Sequence, residues 1–286
     1  MPQKIAVAII HGVGKQDPNF ADGMAQDLRD RFAKQVGNDD SGSQLAISPV
    51  YWAPVLQNAE EKLWDRMKQG GEMDFTTLRH FLVDFAADAI AYQPTPSDRQ
   101  VYDGIHMVFA QTLRTLAVEA GDKAPLCVIA HSLGSVIASN YIYDLQVDAT
   151  RRIISDGVRQ IIRNTPLERG ETLTLFYTLG SPIAIWSLRY PDFGVPITVP
   201  SPKLAEHHPN LKGEWVNYYD EDDVIGYPLK TINDAYRGAI TADREINAGG
   251  LLSSWNPASH LGYWTDNDVT KPIAESLAKT WRAVNS

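Results

Sequence analysis

Six consecutive apolar residues, Ile5-Ala6-Val7-Ala8-Ile9-Ile10, stop abruptly at His11-Gly12-Val13-Gly14. An unbroken apolar run of this length, rich in β-branched side chains, predicts a central parallel strand buried on both faces. The pattern returns at residues 125–130, which end in His131-Ser132-Leu133-Gly134. It returns again at residues 172–179, ending in Gly180-Ser181-Pro182, and at residues 215–219, which run into Asp220-Glu221-Asp222-Asp223. Residues 44–52 form a fifth, weaker strand pattern.

Helical periodicity fills the gaps. Val101, Ile105, Phe109, Leu113 and Leu116 recur at spacings of three and four and predict one apolar stripe. Ser97 and Gln100 in front of it read as a capping box. Residues 135–145 predict a helix directly behind Ser132, and residues 270–284 a C-terminal one. Strands alternating with helices predict an α/β chain of three layers, a mostly parallel sheet with helices on both faces. One domain is expected over residues 1–286. Residues 53–93 carry two helical patterns, one around Leu56–Met67 and one over residues 75–92, and read as a helical insertion. The second pattern is rich in apolar side chains: Leu78, Phe81, Leu82, Phe85, Ile90 and Tyr92. Residues 183–213, rich in Pro and aromatics, read as an irregular excursion.

Charge narrows the function. Lys plus Arg number 26 against 35 Asp plus Glu, a formal charge of −9. No run of basic residues supplies a polyanion-binding face, so nucleic acid is not an expected partner. The single cysteine, Cys127, excludes an internal disulfide and a cysteine-rich zinc site. The apolar run at residues 5–10 is too short for a signal-peptide core, and no stretch approaches the roughly 20 apolar residues of a membrane helix. A cytoplasmic location with no transmembrane segment is the expectation.

The strand ends hold the chemistry. Ligands of open parallel sheets bind beyond the carboxyl ends of the strands, so these ends should converge. Ala130-His131-Ser132-Leu133-Gly134 lies between a strand and a helix, with small residues flanking the serine. Such a turn lifts a serine clear of the backbone, and the helix start behind it offers the Leu133 N–H to a developing oxyanion. His11, Gly12 and Gly14 support a loop whose Val13 N–H is expected to face the same oxyanion. A P-loop reading fails, because Ile9 replaces its first glycine and Gln16 its Ser or Thr. A dinucleotide fingerprint fails at Asp17. Among the acids after the fourth run, Asp223, then Asp222, then Asp220 is the order of preference for orienting a histidine. An EF-hand fails there, because Gly226 sits one place late. His260, in Ser259-His260-Leu261-Gly262-Tyr263-Trp264, is the base expected for Ser132. His80, His106, His207 and His208 read as structural or exposed, and His207-His208 with Asp220 matches no metal-ligand spacing.

The order Ser132, Asp223, His260 along the chain is that of one serine-hydrolase fold. With His11-Gly12-Val13-Gly14, Ala130-His131-Ser132-Leu133-Gly134, Gly180-Ser181-Pro182, the segment from Asp223 to Pro228 and Ser259-His260, the chain resembles the α/β-hydrolase superfamily, especially its lipase-like branch. The segment from Asp223 to Pro228 looks like the one that carries the acid in several lipase families, which favours Asp223. The resemblance implies a Ser-His-Asp triad of Ser132, His260 and Asp223, an oxyanion hole from Val13 and Leu133, and no metal or organic cofactor. It further implies hydrolysis of a small-molecule carboxylic ester or lipid-like substrate, and the apolar pattern over residues 75–92 points to medium or long acyl chains. Thioesterases, amidases and acyltransferases use the same triad, and non-catalytic binding proteins share the fold. Ala130 departs from the family's usual first elbow glycine. The chain starts at what would be the family's third strand, so the sheet should be shortened at the N-terminus relative to the usual eight strands. Residues 53–93 have no fixed counterpart, although inserted helices in lipases often act as lids.

Overall fold

The computed structural model describes residues 2–37, 43–69, 76–248 and 259–286, with the side chains of residues 57–60, 76–82, 84, 259 and 261 outside that description. The five expected strands form: β1 (Ile5–Ile10), β2 (Leu45–Val50), β3 (Leu126–His131), β4 (Leu173–Leu179) and β5 (Glu214–Tyr219). A sixth, β6 (Ala242–Glu245), was not expected. Its residues Ala242-Asp243-Arg244-Glu245 lack an apolar run because they form the short edge of the sheet. The order is β2-β1-β3-β4-β5-β6 and every pair is parallel, so the mostly parallel expectation becomes an all-parallel sheet among the described residues.

The helices are α1 (Asp22–Val36), α2 (Gln57–Gln69), α3 (Thr76–Ala91), α4 (Gln100–Ala120), α5 (Leu133–Arg151), α6 (Asp156–Ile161), α7 (Ile183–Ser187), α8 (Leu204–His207), α9 (Asp234–Ala239) and α10 (Asn267–Asn285). Alternation along β1 explains the three layers. Ile5, Val7 and Ile9 pack with Leu28 and Phe32 of α1 and Ile273 and Leu277 of α10. Ala6, Ala8 and Ile10 pack on the other face with Phe109 and Leu113 of α4 and Val136 and Ile137 of α5. A strand covered on both faces needs apolar residues at every position, which is why β1 shows no period of two.

Helix starts differ from expectation in instructive ways. The box at Ser97 and Gln100 does not form. Instead the Asp98 carboxylate accepts the Gln100 N–H at 3.0 Å, and the Thr95 hydroxyl accepts the Asp98 N–H. The local turn from Thr95 to Asp98 competes for the same backbone donors and wins. The helix behind Ser132 begins at Leu133 and extends to Arg151, longer at both ends than residues 135–145. Helix α1 was unforeseen, although Met24, Ala25, Leu28 and Phe32 bury one side of it.

The insertion holds α2 and α3, and residues 70–75 of it lie outside the described residues. The side chains of Leu78, Phe81 and Leu82 also lie outside them. Tyr92 is fully buried, whereas Ile90 is 73% exposed. The excursion at residues 183–213 is largely irregular, interrupted by α7, a 3-10 turn at Pro191–Phe193 and α8. Among the described residues no helix is long and apolar enough to cross a membrane.

Candidate active site

Strand order reverses beside β1. The chain passes from β1 to β2 on one side, then returns to place β3 on the other. Loops leaving the carboxyl ends of β1 and β3 therefore diverge and leave a crevice between them. Into it come the loop at residues 11–14 and the turn at Ser132.

Ser132 has φ 51° and ψ −132°, a positive-φ conformation that a residue bearing a side chain adopts only under strain. The turn is possible because its neighbours are small. A Cβ on Gly134 would collide with the His11 carbonyl oxygen, and one on Gly12 would lie 2.6 Å from the Ser132 Cβ. Ala130, two residues before the serine, is fully buried. The Ser132 turn is held further by Ser135, whose hydroxyl donates to the Ser132 carbonyl at 2.6 Å and lies 2.7 Å from the Ser181 hydroxyl. Gly134→Ala is expected to destabilise the fold by about 1–3 kcal/mol, as overpacking of a filled site does. It should also move Ser132, so thermal melting and serine reactivity should fall together.

Three of the expected residues meet. The Ser132 Oγ lies 2.7 Å from His260 Nε2, and His260 Nδ1 lies 2.8 and 3.0 Å from the two oxygens of Asp223. All three are buried, with Ser132 0% exposed. Asp223 also accepts the Ile225 N–H at 3.0 Å and the Tyr263 hydroxyl at 2.8 Å. Burial pushes its carboxyl up, but the hydrogen bond and charge of His260, with the Ile225 and Tyr263 donors, outweigh this and hold it at about 2. Asp223 is thus ionised at neutral pH and faces the nitrogen of His260 that Ser132 does not use.

The alternative acids lie elsewhere. Asp220 is buried and accepts the backbone N–H groups of Asp222 at 2.8 Å and Ala248 at 2.6 Å. Asp222 is only partly buried. The cluster is therefore neither a uniform solvated turn nor a set of interchangeable carboxylates. His207, His208 and Asp220 engage separate partners. His207 pairs with Glu171 at 2.9 Å, and His208 donates to the Lys123 carbonyl at 2.6 Å.

The candidate oxyanion donors also lie beside the serine. Leu133 is the first residue of α5 and fully buried, so its N–H is one of the amides that a helix start leaves without an intrahelical acceptor. Val13 is half-buried in the loop that packs on Ser132 through Gly12. His11 supports this loop from beneath. Its ring stacks on Trp52 at 4.8 Å, its Nδ1 donates to the Gly12 carbonyl at 2.8 Å, and its Nε2 accepts the Trp52 N–H at 3.1 Å. Burial pushes His11 down to about 3, so it is neutral, as an accepting Nε2 requires. Gly14 takes φ 76°, and its N–H donates to the buried Asp88 carboxylate of α3 at 2.9 Å.

Several supporting residues escaped the sequence reading. His131 donates from Nε2 to the His260 carbonyl at 2.6 Å, and burial, with the charge of His260 adding to it, pushes His131 down to about 3. Tyr263 follows His260 within the same 3-10 segment, Ser259–Thr265, and links it to Asp223 while accepting the Asp220 N–H at 2.9 Å. Asp243, on the unforeseen β6, accepts the Leu229 and Lys230 N–H groups at 2.9 Å and fixes the chain beyond Asp223. The polar residue next to Ser132 and the aromatic three places after His260 were the available signals. For Asp243 there was none.

The site thus gathers a strained serine, an imidazole and an ionised carboxylate in hydrogen-bonding sequence, beside a helix start and a loop of supported backbone amides. No known family model, no curated protein and no solved structure matches this chain.

Proposed function

We propose that the chain is a serine hydrolase of the α/β-hydrolase fold that cleaves carboxylic esters. The observation that carries this reading is the continuous run Ser132 Oγ, His260 Nε2, His260 Nδ1, Asp223, closed at 2.7 and 2.8 Å from three separate loops. In the reaction, Ser132 Oγ attacks the ester carbonyl as His260 Nε2 takes its proton. Asp223 holds the Nδ1–H and stabilises the imidazolium. The Val13 and Leu133 N–H groups receive the oxyanion of the tetrahedral intermediate. As that intermediate collapses, His260 returns the proton to the leaving alkoxide, and water then repeats the sequence to release the acid and regenerate Ser132.

An acyl chain of medium length has support nearby. A cavity of about 410 Å³ lies beside α5, one turn beyond the nucleophile, lined by Val136, Ile183, Trp186, Tyr190, Val195 and Tyr236 among others. Ser139, Asn140 and Arg151 line it too, but its walls are mainly apolar, and such walls suit a hydrocarbon chain.

A fluorophosphonate probe read by intact mass tests the reading. Wild type should gain one adduct, and Ser132→Ala none. Because Ser132 is buried, the measurement is made with and without detergent. A wild type that stays unlabelled in both would overturn the proposal. An assay with a competing alcohol separates a hydrolase, which yields free acid, from an acyltransferase, which yields a new ester.

A further inference from the structure

The insertion reaches the far side of the oxyanion loop through a buried bond. Asp88 lies in the last turn of α3, is 1% exposed, and accepts the Gly14 N–H at 2.9 Å across 74 residues of sequence. The same turn is anchored a second way. The Tyr92 N–H donates to the Asp88 carbonyl at 2.8 Å, and the Tyr92 hydroxyl lies 2.9 Å from His106 Nε2 and accepts from Asn140 at 3.3 Å. Tyr92 is fully buried, so this end of the insertion is bolted to α4 and α5.

Resting on the hydrolase reading, we propose that Asp88 is a positioning residue for the oxyanion hole. The Gly12-Val13-Gly14 loop has no strand or helix to define it. It is fixed at its start, where His11 bonds the Gly12 carbonyl and Gly12 packs on Ser132. At its far side Gly14, at positive φ, has a glycine's freedom to swing. The Asp88 carboxylate removes that freedom by taking the Gly14 N–H, and so fixes the peptide that follows Val13. Val13 is then held between two tied glycines, and its own N–H keeps one direction. An oxyanion donor is worth its full effect only when it is aimed before charge develops. The anchored end of the insertion is thereby part of the catalytic frame and does not swing as a lid.

Asp88→Ala and Asp88→Asn test this. Rates are divided by the number of sites titrated with the fluorophosphonate, which removes any misfolded fraction. Asp88→Ala should lower kcat per site about 10²-fold, the scale of losing one oxyanion donor, with KM changed by no more than about threefold. Its affinity for a trifluoromethyl ketone, which forms a tetrahedral oxyanion on Ser132, should fall in parallel. Asp88→Asn retains a carbonyl oxygen to accept the Gly14 N–H and should recover most of kcat. If Asp88→Ala does not fold, Asp88→Ser takes its place, because its shorter side chain cannot span the same distance. A kcat per titrated site within about threefold of wild type in the truncated variant would overturn the inference, as would an Asp88→Asn variant as slow as the truncation. A wild type that neither labels nor turns over would instead overturn the hydrolase reading itself.

Discussion

Asp223→Asn is expected to lower kcat about 10⁴-fold, while Asp222→Asn stays within about threefold of wild type. The difference follows from what each carboxylate touches. Asp223 faces His260 Nδ1 with both oxygens and remains ionised well below neutral pH. An amide there removes the charge that stabilises the imidazolium. It also introduces an N–H₂ group that meets another donor at either position, the Ile225 N–H on one side and the Tyr263 hydroxyl on the other. His260 then loses its fixed tautomer and orientation. Asp222 contributes its backbone N–H to Asp220, and its carboxylate contacts none of these groups. Asp220→Asn should behave differently from both, since Asp220 holds the Ala248 amide. There the expected loss is in stability, about 1–3 kcal/mol, more than in kcat. Steady-state kinetics on a chromogenic ester, with circular dichroism to establish folding, separates the three. A dead Asp222→Asn with an active Asp223→Asn would move the acid one residue earlier.

The second large effect is on stability toward acid. His11, His106 and His131 are buried, and burial pushes each down to about 3. Folded chains therefore bind no proton at these rings between about pH 6.5 and 3, whereas unfolded chains do. Where the unfolded state binds more protons, stability rises with pH, so it must fall as pH drops below about 6.5. At pH 5 each histidine then costs about 2 kcal/mol. Asp144 works in the opposite sense. Burial pushes its carboxyl up to about 7, so the folded state binds a proton that the unfolded state has already lost, and acid favours folding at this one site. Three histidines outweigh one aspartic acid. The expected net loss between pH 7.5 and pH 5 is on the order of 3 kcal/mol. Urea midpoints across this range measure it. His106→Gln should flatten the dependence, because it removes one of the three rings that resist protonation. A stability that is level or rising toward pH 5 would contradict the neutral state of these rings.

What was legible depended on whether local sequence and tertiary position agreed. Continuous apolar runs marked β1, β3, β4 and β5 because burial on both faces imposes the same demand at every position. The sheet edge imposes no such demand, and β6 was silent. The small residues around Ser132 were legible for a related reason, since the turn cannot close with a Cβ at Gly134. At Thr95–Gln100 local chemistry supported two different starts, and the competing turn could not be ranked without the helix in place. Tyr263 and His131 sat in motifs already under scrutiny, but nothing in their spacing said which group each would bond.

The sequence by itself determined the alternating α/β plan, the strand ends that carry polar residues, and the order of Ser132, an acidic cluster and His260. Each of these follows from local constraints: burial at successive positions, the steric limits of a tight turn, and side-chain chemistry. Only the tertiary structure decided which of three neighbouring acids faces His260, that Asp243 braces the segment behind it, and that Asp88 ties the insertion to the loop at Gly14. Those are pairings between residues remote in the chain, set by strand order and helix packing. A buried hydrogen bond leaves no periodicity in the sequence, because either partner is a single polar residue whose reason lies on another element.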